Sequence, residues 1–135
     1  MSATSPAEPV ILSVCTTCKA EGESGTDLLG ARLYAALLAA AEAAGAAVIV
    51  RPVQCLSVCK RPGTAALSSP GRYTYVFGDL DEATGPAALL DCAKAYLEHE
   101  HGYLLWRERP EPLRRGIVAR IPPAGWIGED GRHPR

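Results

Sequence analysis

No stretch of the sequence approaches the ~20 consecutive apolar residues that a membrane-spanning helix needs, so a membrane partner is not expected. The first residues, Met-Ser-Ala-Thr-Ser-Pro-Ala-Glu-Pro, lack the basic start and apolar centre of a secretory signal, which points to a cytoplasmic, reducing setting. There is no glycine loop for phosphate, no Ser/His/Asp set and no pair of carboxylates in a recognisable cleft. Nothing therefore argues for substrate turnover, and no enzyme activity is expected. A net charge of −1 and an isoelectric point of 6.3 argue against nucleic acid. No internal repeat is visible.

What the chain does have is five cysteines in 135 residues, four of them in two close pairs, Cys15/Cys18 and Cys55/Cys59. An odd count in a reducing compartment, with close pairing, points to a metal or redox site rather than a disulfide framework. Length and a hydrophobic fraction of 47% fit one soluble domain with a tail. Charge is uneven: residues 1–102 carry seven Lys/Arg against eleven acids, and residues 103–135 seven arginines against four acids. Such polarity suits a charged partner but is ordinarily just a solvated surface.

Residues 1–8, small, polar and interrupted by proline, are expected to be a disordered arm. Val10–Val14 reads as a first strand that delivers Cys15. The turn-rich segment 16–25 reads as a loop, which leaves Cys18 on flexible backbone. Thr26 is a candidate N-cap for a helix to Ala44, with Leu29, Leu33, Ala36, Leu37, Ala40 and Ala44 on one stripe and Gly45 as its stop. Val48–Val53 is a nearly continuous apolar run, as a strand buried on both faces shows. A strand, crossover helix and strand make parallel neighbours, so Cys15 and Cys55 are expected to emerge at the same edge of the sheet. Two further strands, Thr64–Ser68 and Tyr73–Phe77, flank a Pro70-Gly71 turn. A helix from Pro86 to Glu100 then ends at Gly102. The predicted order is β-α-β-β-β-α, an α/β domain over residues 9–102. Residues 103–135, rich in proline and arginine, are expected to be an irregular extension that wraps the domain or a partner.

Four thiols without a neighbouring His suit all-thiolate ligation of zinc or an iron-sulfur cluster. Zinc ribbons present two C-x2-C knuckles, whereas Cys55-Leu-Ser-Val-Cys59 is C-x3-C within an apolar α/β pattern. Dithiol chemistry at Cys15-Thr-Thr-Cys18 is a third option, disfavoured because residues 22–25 separate Cys18 from the helix end that would activate it. Other candidates have plainer readings. Cys92 falls on the apolar face of the last helix as a small hydrophobe, and His99 and His101 close that helix. Lys19, Lys60 and Arg61 flank the thiols and could offset thiolate charge, and Trp106 and Trp126 are expected as anchors of the tail.

Cys55-x3-Cys59, Gly63-Thr-Ala-Ala-Leu67, a Pro-Gly turn and Tyr73-Thr-Tyr-Val76 ahead of a helix resemble the thioredoxin-like [2Fe-2S] ferredoxins. With Cys15-Thr-Thr-Cys18 and the tail Leu113-Arg-Arg-Gly-Ile-Val-Ala-Arg-Ile-Pro-Pro123, the pattern is similar to a bacterial family of predicted metal-binding proteins of unknown function. Some members of that family are encoded near cobalamin-biosynthesis genes. Those ferredoxins separate their first two ligands by a long loop, whereas Cys15 and Cys18 have only two residues between them. The resemblance implies a thioredoxin-like fold and a [2Fe-2S] cluster held by Cys15, Cys18, Cys55 and Cys59. It also implies a homodimer and one-electron transfer to a redox partner, which the gene context of the family suggests is a cobalamin-biosynthesis enzyme. The alternative from the same cysteines is a zinc- or cobalt-binding module or metallochaperone.

Overall fold

In the computed structural model, which describes residues 8–126 and 130–131, the apolar runs read from the sequence become strands of one sheet. Of the arm expected at 1–8 only Glu8 is included; the rest, with 127–129 and 132–135 of the tail, lies outside the described residues. Strand β1 (Ile11–Cys15) is followed by helix α1 (Leu29–Ala44) and strand β2 (Ile49–Val53). Strands β3 (Ala65–Ser68) and β4 (Thr74–Phe77) precede helix α2 (Gly85–Leu97). The sheet order is β2-β1-β3-β4-β5, with β1 and β2 parallel and every other pair antiparallel.

Alanine and leucine give α1 its propensity, and Leu33, Leu37 and Ala41 recur every four residues on its buried stripe. Gly45 ends it in the left-handed conformation at φ 60°, where its N–H reaches back to the last turn. Helix α2 buries Leu89, Cys92, Ala93 and Tyr96, and both helices pack together. The few aromatics are concentrated in this core. Tyr75 stacks with Phe77 at 6.1 Å and meets Tyr96 edge-on at 6.2 Å, and the Tyr96 hydroxyl donates to the Tyr73 carbonyl. Among the described residues no helix is long and apolar enough to cross a membrane.

Four expectations change. Strand β2 is an edge strand rather than one buried on both faces, and Ile49 is 52% exposed. Pro52, which has no N–H to donate, suits that edge. Helix α1 starts at Leu29, not after Thr26, and its N-cap Leu28 makes no side-chain cap. The tail is not irregular throughout: after a 3-10 turn at Trp106–Glu108 come helix α3 (Glu111–Arg115) and strand β5 (Ile117–Ile121), which pairs with β4. Leu104 and Leu113 are fully buried in the core with residues of β1, β3 and β4, so the core continues past Gly102. The prolines fall where they do no harm, Pro112 in the first turn of α3 and Pro122 just beyond β5. Trp106 is 65% exposed and lies under the Arg114 guanidinium at 4.7 Å, so it does not anchor the tail.

Candidate metal centre

The parallel pairing sets Cys15 opposite Val53, so both cysteine loops leave the same edge of the sheet, as the strand-helix-strand order requires. Threonines stitch them together. The Thr16 N–H donates to the Val53 carbonyl at 2.9 Å, the Thr16 hydroxyl does so at 3.3 Å, and the Thr17 hydroxyl donates to the Gln54 carbonyl. The Cys15 thiol also reaches the Gln54 carbonyl at 3.6 Å. From the other side, the Thr64 carbonyl accepts the Cys15 N–H at 3.1 Å. Residues forty apart in the chain thus share one rigid edge.

Cys18 is not on loose backbone: it is 5% exposed, and its carbonyl accepts the Gly30 N–H of α1 at 3.0 Å. Gly30 is where the helix meets the loop. A Cβ there would run into the Cys15 carbonyl oxygen, so only glycine lets the first turn of α1 come this close. Glu23 holds the rest of the loop. Its carboxylate accepts the N–H groups of Ala20 at 2.7 Å and Leu29 at 2.8 Å, supplying the cap that Leu28 cannot. Arg32 clamps Glu23 at 2.6 Å and Glu82 at 2.7 Å, with Asp27 at 3.3 Å. The Ala20 N–H, then Arg32 and Leu29, hold the Glu23 carboxyl below the usual range. The helix end is therefore against the cysteine loop in space although residues 22–25 separate them in sequence, so the distance expected to disfavour dithiol chemistry is absent from the fold.

Cys15, Cys18, Cys55 and Cys59 line a single cavity of about 230 Å³, together with Thr17, Lys19 and Val58. The first pair is buried and the second exposed. Among the described residues no three Cys, His, Asp or Glu stand close enough to close on one ion as they are. Burial works to raise the Cys15 thiol, but hydrogen bonds with Cys18 and Thr17 outweigh it and hold Cys15 low. Burial raises Cys18, against hydrogen bonds from Thr64 and Gly63. The Cys55 sulfur accepts the N–H of Ser57, a residue in the left-handed region at φ 62°. A larger groove of about 710 Å³ between α1 and α2 is lined by residues such as Ala36, Ala40, Pro86 and Leu90 and contains no thiol, so chemistry rather than size places the site.

A lining with four thiols and no imidazole or carboxylate suits a soft metal centre, and in that sense the residues fit an iron-sulfur cluster or zinc. Cys92 lies elsewhere, fully buried in the core, with its thiol pushed up to about 12 by burial. His99 pairs with Glu108 at 2.8 Å, away from the cavity lining. Sequence reasoning missed Thr17, Gly30, Glu23, Arg32 and Thr64 as supports of the site. Gly30, a glycine inside an Ala/Leu helix, was the one legible signal.

The chain belongs to the family described as a protein of unknown function (DUF1636), whose model matches residues 12–123. No curated protein matches it. Among solved structures it is similar to a thioredoxin-like [2Fe-2S] ferredoxin from Aquifex aeolicus, with a TM-score of 0.52 and 14% identity. That match covers 90% of this chain and 100% of the other. The likeness shows a thioredoxin-like fold, as the sequence resemblance implied.

Proposed function

We propose that this member of the DUF1636 family is a [2Fe-2S] electron carrier with Cys15, Cys18, Cys55 and Cys59 as cluster ligands. The observation that carries the reading is that all four thiols line one cavity at the carboxyl edge of the parallel strands. Fold similarity to a [2Fe-2S] ferredoxin favours a cluster over zinc. When bound, the cluster supplies a one-electron couple. Cys15 and Cys18 form the buried wall that limits water, and the exposed Cys55 and Cys59 leave a side open to a redox partner. Lys19, in the lining, and Lys60, next to Cys59 in the chain, offer positive charge to the thiolates, whereas Arg61 is turned to Asp79 at 2.8 Å and to the Arg115 and Ile117 carbonyls. The protein acts as a carrier rather than an enzyme. A homodimer, and a partner enzyme in cobalamin biosynthesis, belong to the same proposal and rest on the sequence resemblance; light scattering and co-purification read them.

A second reading, dithiol chemistry at Cys15 and Cys18, is favoured by the first turn of α1 packed on their loop. Anaerobic purification with metal, sulfide and absorption analysis separates the readings. About two irons and two acid-labile sulfides per chain support the carrier. Stoichiometric zinc and a colourless protein would refute it in favour of the metal module or metallochaperone. A metal-free protein with a reversible Cys15–Cys18 disulfide would favour the second reading.

A further inference from the structure

We propose that Thr64 is a positioning residue of the metal centre, whose buried hydroxyl donates a hydrogen bond to the Cys18 sulfur. The inference rests on the four-cysteine reading above. Thr64 is fully buried, one residue before β3, and its Oγ1 lies 3.3 Å from the Cys18 Sγ across 46 residues of sequence. The same residue takes the Cys15 N–H on its carbonyl, so it touches both members of the first pair. A metal-bound thiolate has no proton, so in the loaded protein this contact can run only from O–H to sulfur. Thr17, the other hydroxyl within hydrogen-bond reach of a thiol among the described residues, lies 3.7 Å from the Cys15 sulfur and already donates to the Gln54 carbonyl.

Thr64 is also prevented from moving away. Gly63 before it has φ 85°, and its carbonyl accepts the Leu80 N–H at 3.0 Å. A Cβ on Gly63 would run into the Leu80 carbonyl, so this segment is pinned against the chain behind it. A hydrogen bond aimed at a ligand sulfur stabilises negative charge there and so favours the reduced state. Removing the hydroxyl should therefore make reduction harder without removing a ligand.

The test compares wild type, Thr64→Val and Thr64→Ser as purified holoproteins, by iron and sulfide content and by potentiometric titration. Thr64→Val should keep full iron and sulfide while its reduction potential moves to more negative values, and Thr64→Ser should return it toward wild type. Loss of the cluster in Thr64→Val but not in Thr64→Ser also supports a role for the hydroxyl. An unchanged potential in Thr64→Val, or loss of the cluster in both variants, would overturn the proposal while leaving the four-cysteine reading intact. If wild type takes a divalent ion instead, the same variants loaded with Co(II) report through the sulfur-to-cobalt charge-transfer band. That band should move to lower energy in Thr64→Val only, and an unmoved band overturns the role of Thr64. A wild type that binds neither iron-sulfur nor Co(II) refutes the four-cysteine reading and this inference together.

Discussion

Gly30→Ala exposes the link between the fold and the centre. In an ordinary helix position alanine is favoured over glycine by about 0.5–1 kcal/mol. Here the added Cβ meets backbone rather than a movable side chain: the Cys15 carbonyl oxygen, the Cys18 nitrogen and the Thr16 carbonyl carbon. Overpacking of this kind costs about 1–3 kcal/mol, so the two effects leave about 0–2.5 kcal/mol, and so close an approach to a backbone oxygen puts the net loss in the upper part of that range, at about 1–2 kcal/mol. For a domain of this size that is about 3–10 °C in Tm. Relief of the clash must separate α1 from the Cys15–Cys18 loop, which also breaks the Gly30 N–H to Cys18 carbonyl bond. Thermal unfolding and metal content of the purified variant give the two readouts, and both should fall. A Gly30→Ala protein as stable as wild type and fully loaded would refute the claim that this contact positions the ligands.

Leu113→Ala should lower stability by about 2–5 kcal/mol, as for a core leucine, although it lies among arginines and prolines; urea unfolding reads it, and a loss below 1 kcal/mol would contradict its full burial. Stability should be level from pH 7 to about 5 and fall below about 4. The reason is that the carboxyls of Glu23, Asp81 and Glu108 are all held below their ordinary values, so each contributes fully above the unfolded value and loses that contribution as pH drops through the folded one. The causes are the Ala20 N–H and Arg32 for Glu23, and the Thr84 N–H and hydroxyl for Asp81; for Glu108, burial is outweighed by the Leu105 N–H and His99. A urea midpoint that is flat from pH 7 to pH 3 would contradict this.

The strand and helix order over residues 10–100 was legible because each element is a single run whose apolar pattern matches its period, as with Leu33, Leu37 and Ala41 in α1. The two cysteine loops were legible as neighbours because parallel strands joined by a helix place both carboxyl ends on one edge. Strand β5 was not, because Pro110, Pro112 and Pro122 read as a broken segment when each in fact stands at the start of α3 or beyond the end of a strand. Burial of Cys18 was not legible either. Turn residues around it correctly indicate a loop, but what pins that loop is Arg32 bridging Glu23 to Glu82, a contact across 50 residues that no local pattern encodes.

Whether the four thiols hold one centre is read by single Cys→Ser substitutions with iron and sulfide counted per chain. Cys15→Ser, Cys18→Ser, Cys55→Ser and Cys59→Ser should each lose or severely deplete the cluster, while Cys92→Ala, which removes a thiol buried in the core, should retain it. A normal cluster in any of the four serine variants would remove that cysteine from the ligand set, and a normal cluster in all four would refute a four-thiolate centre.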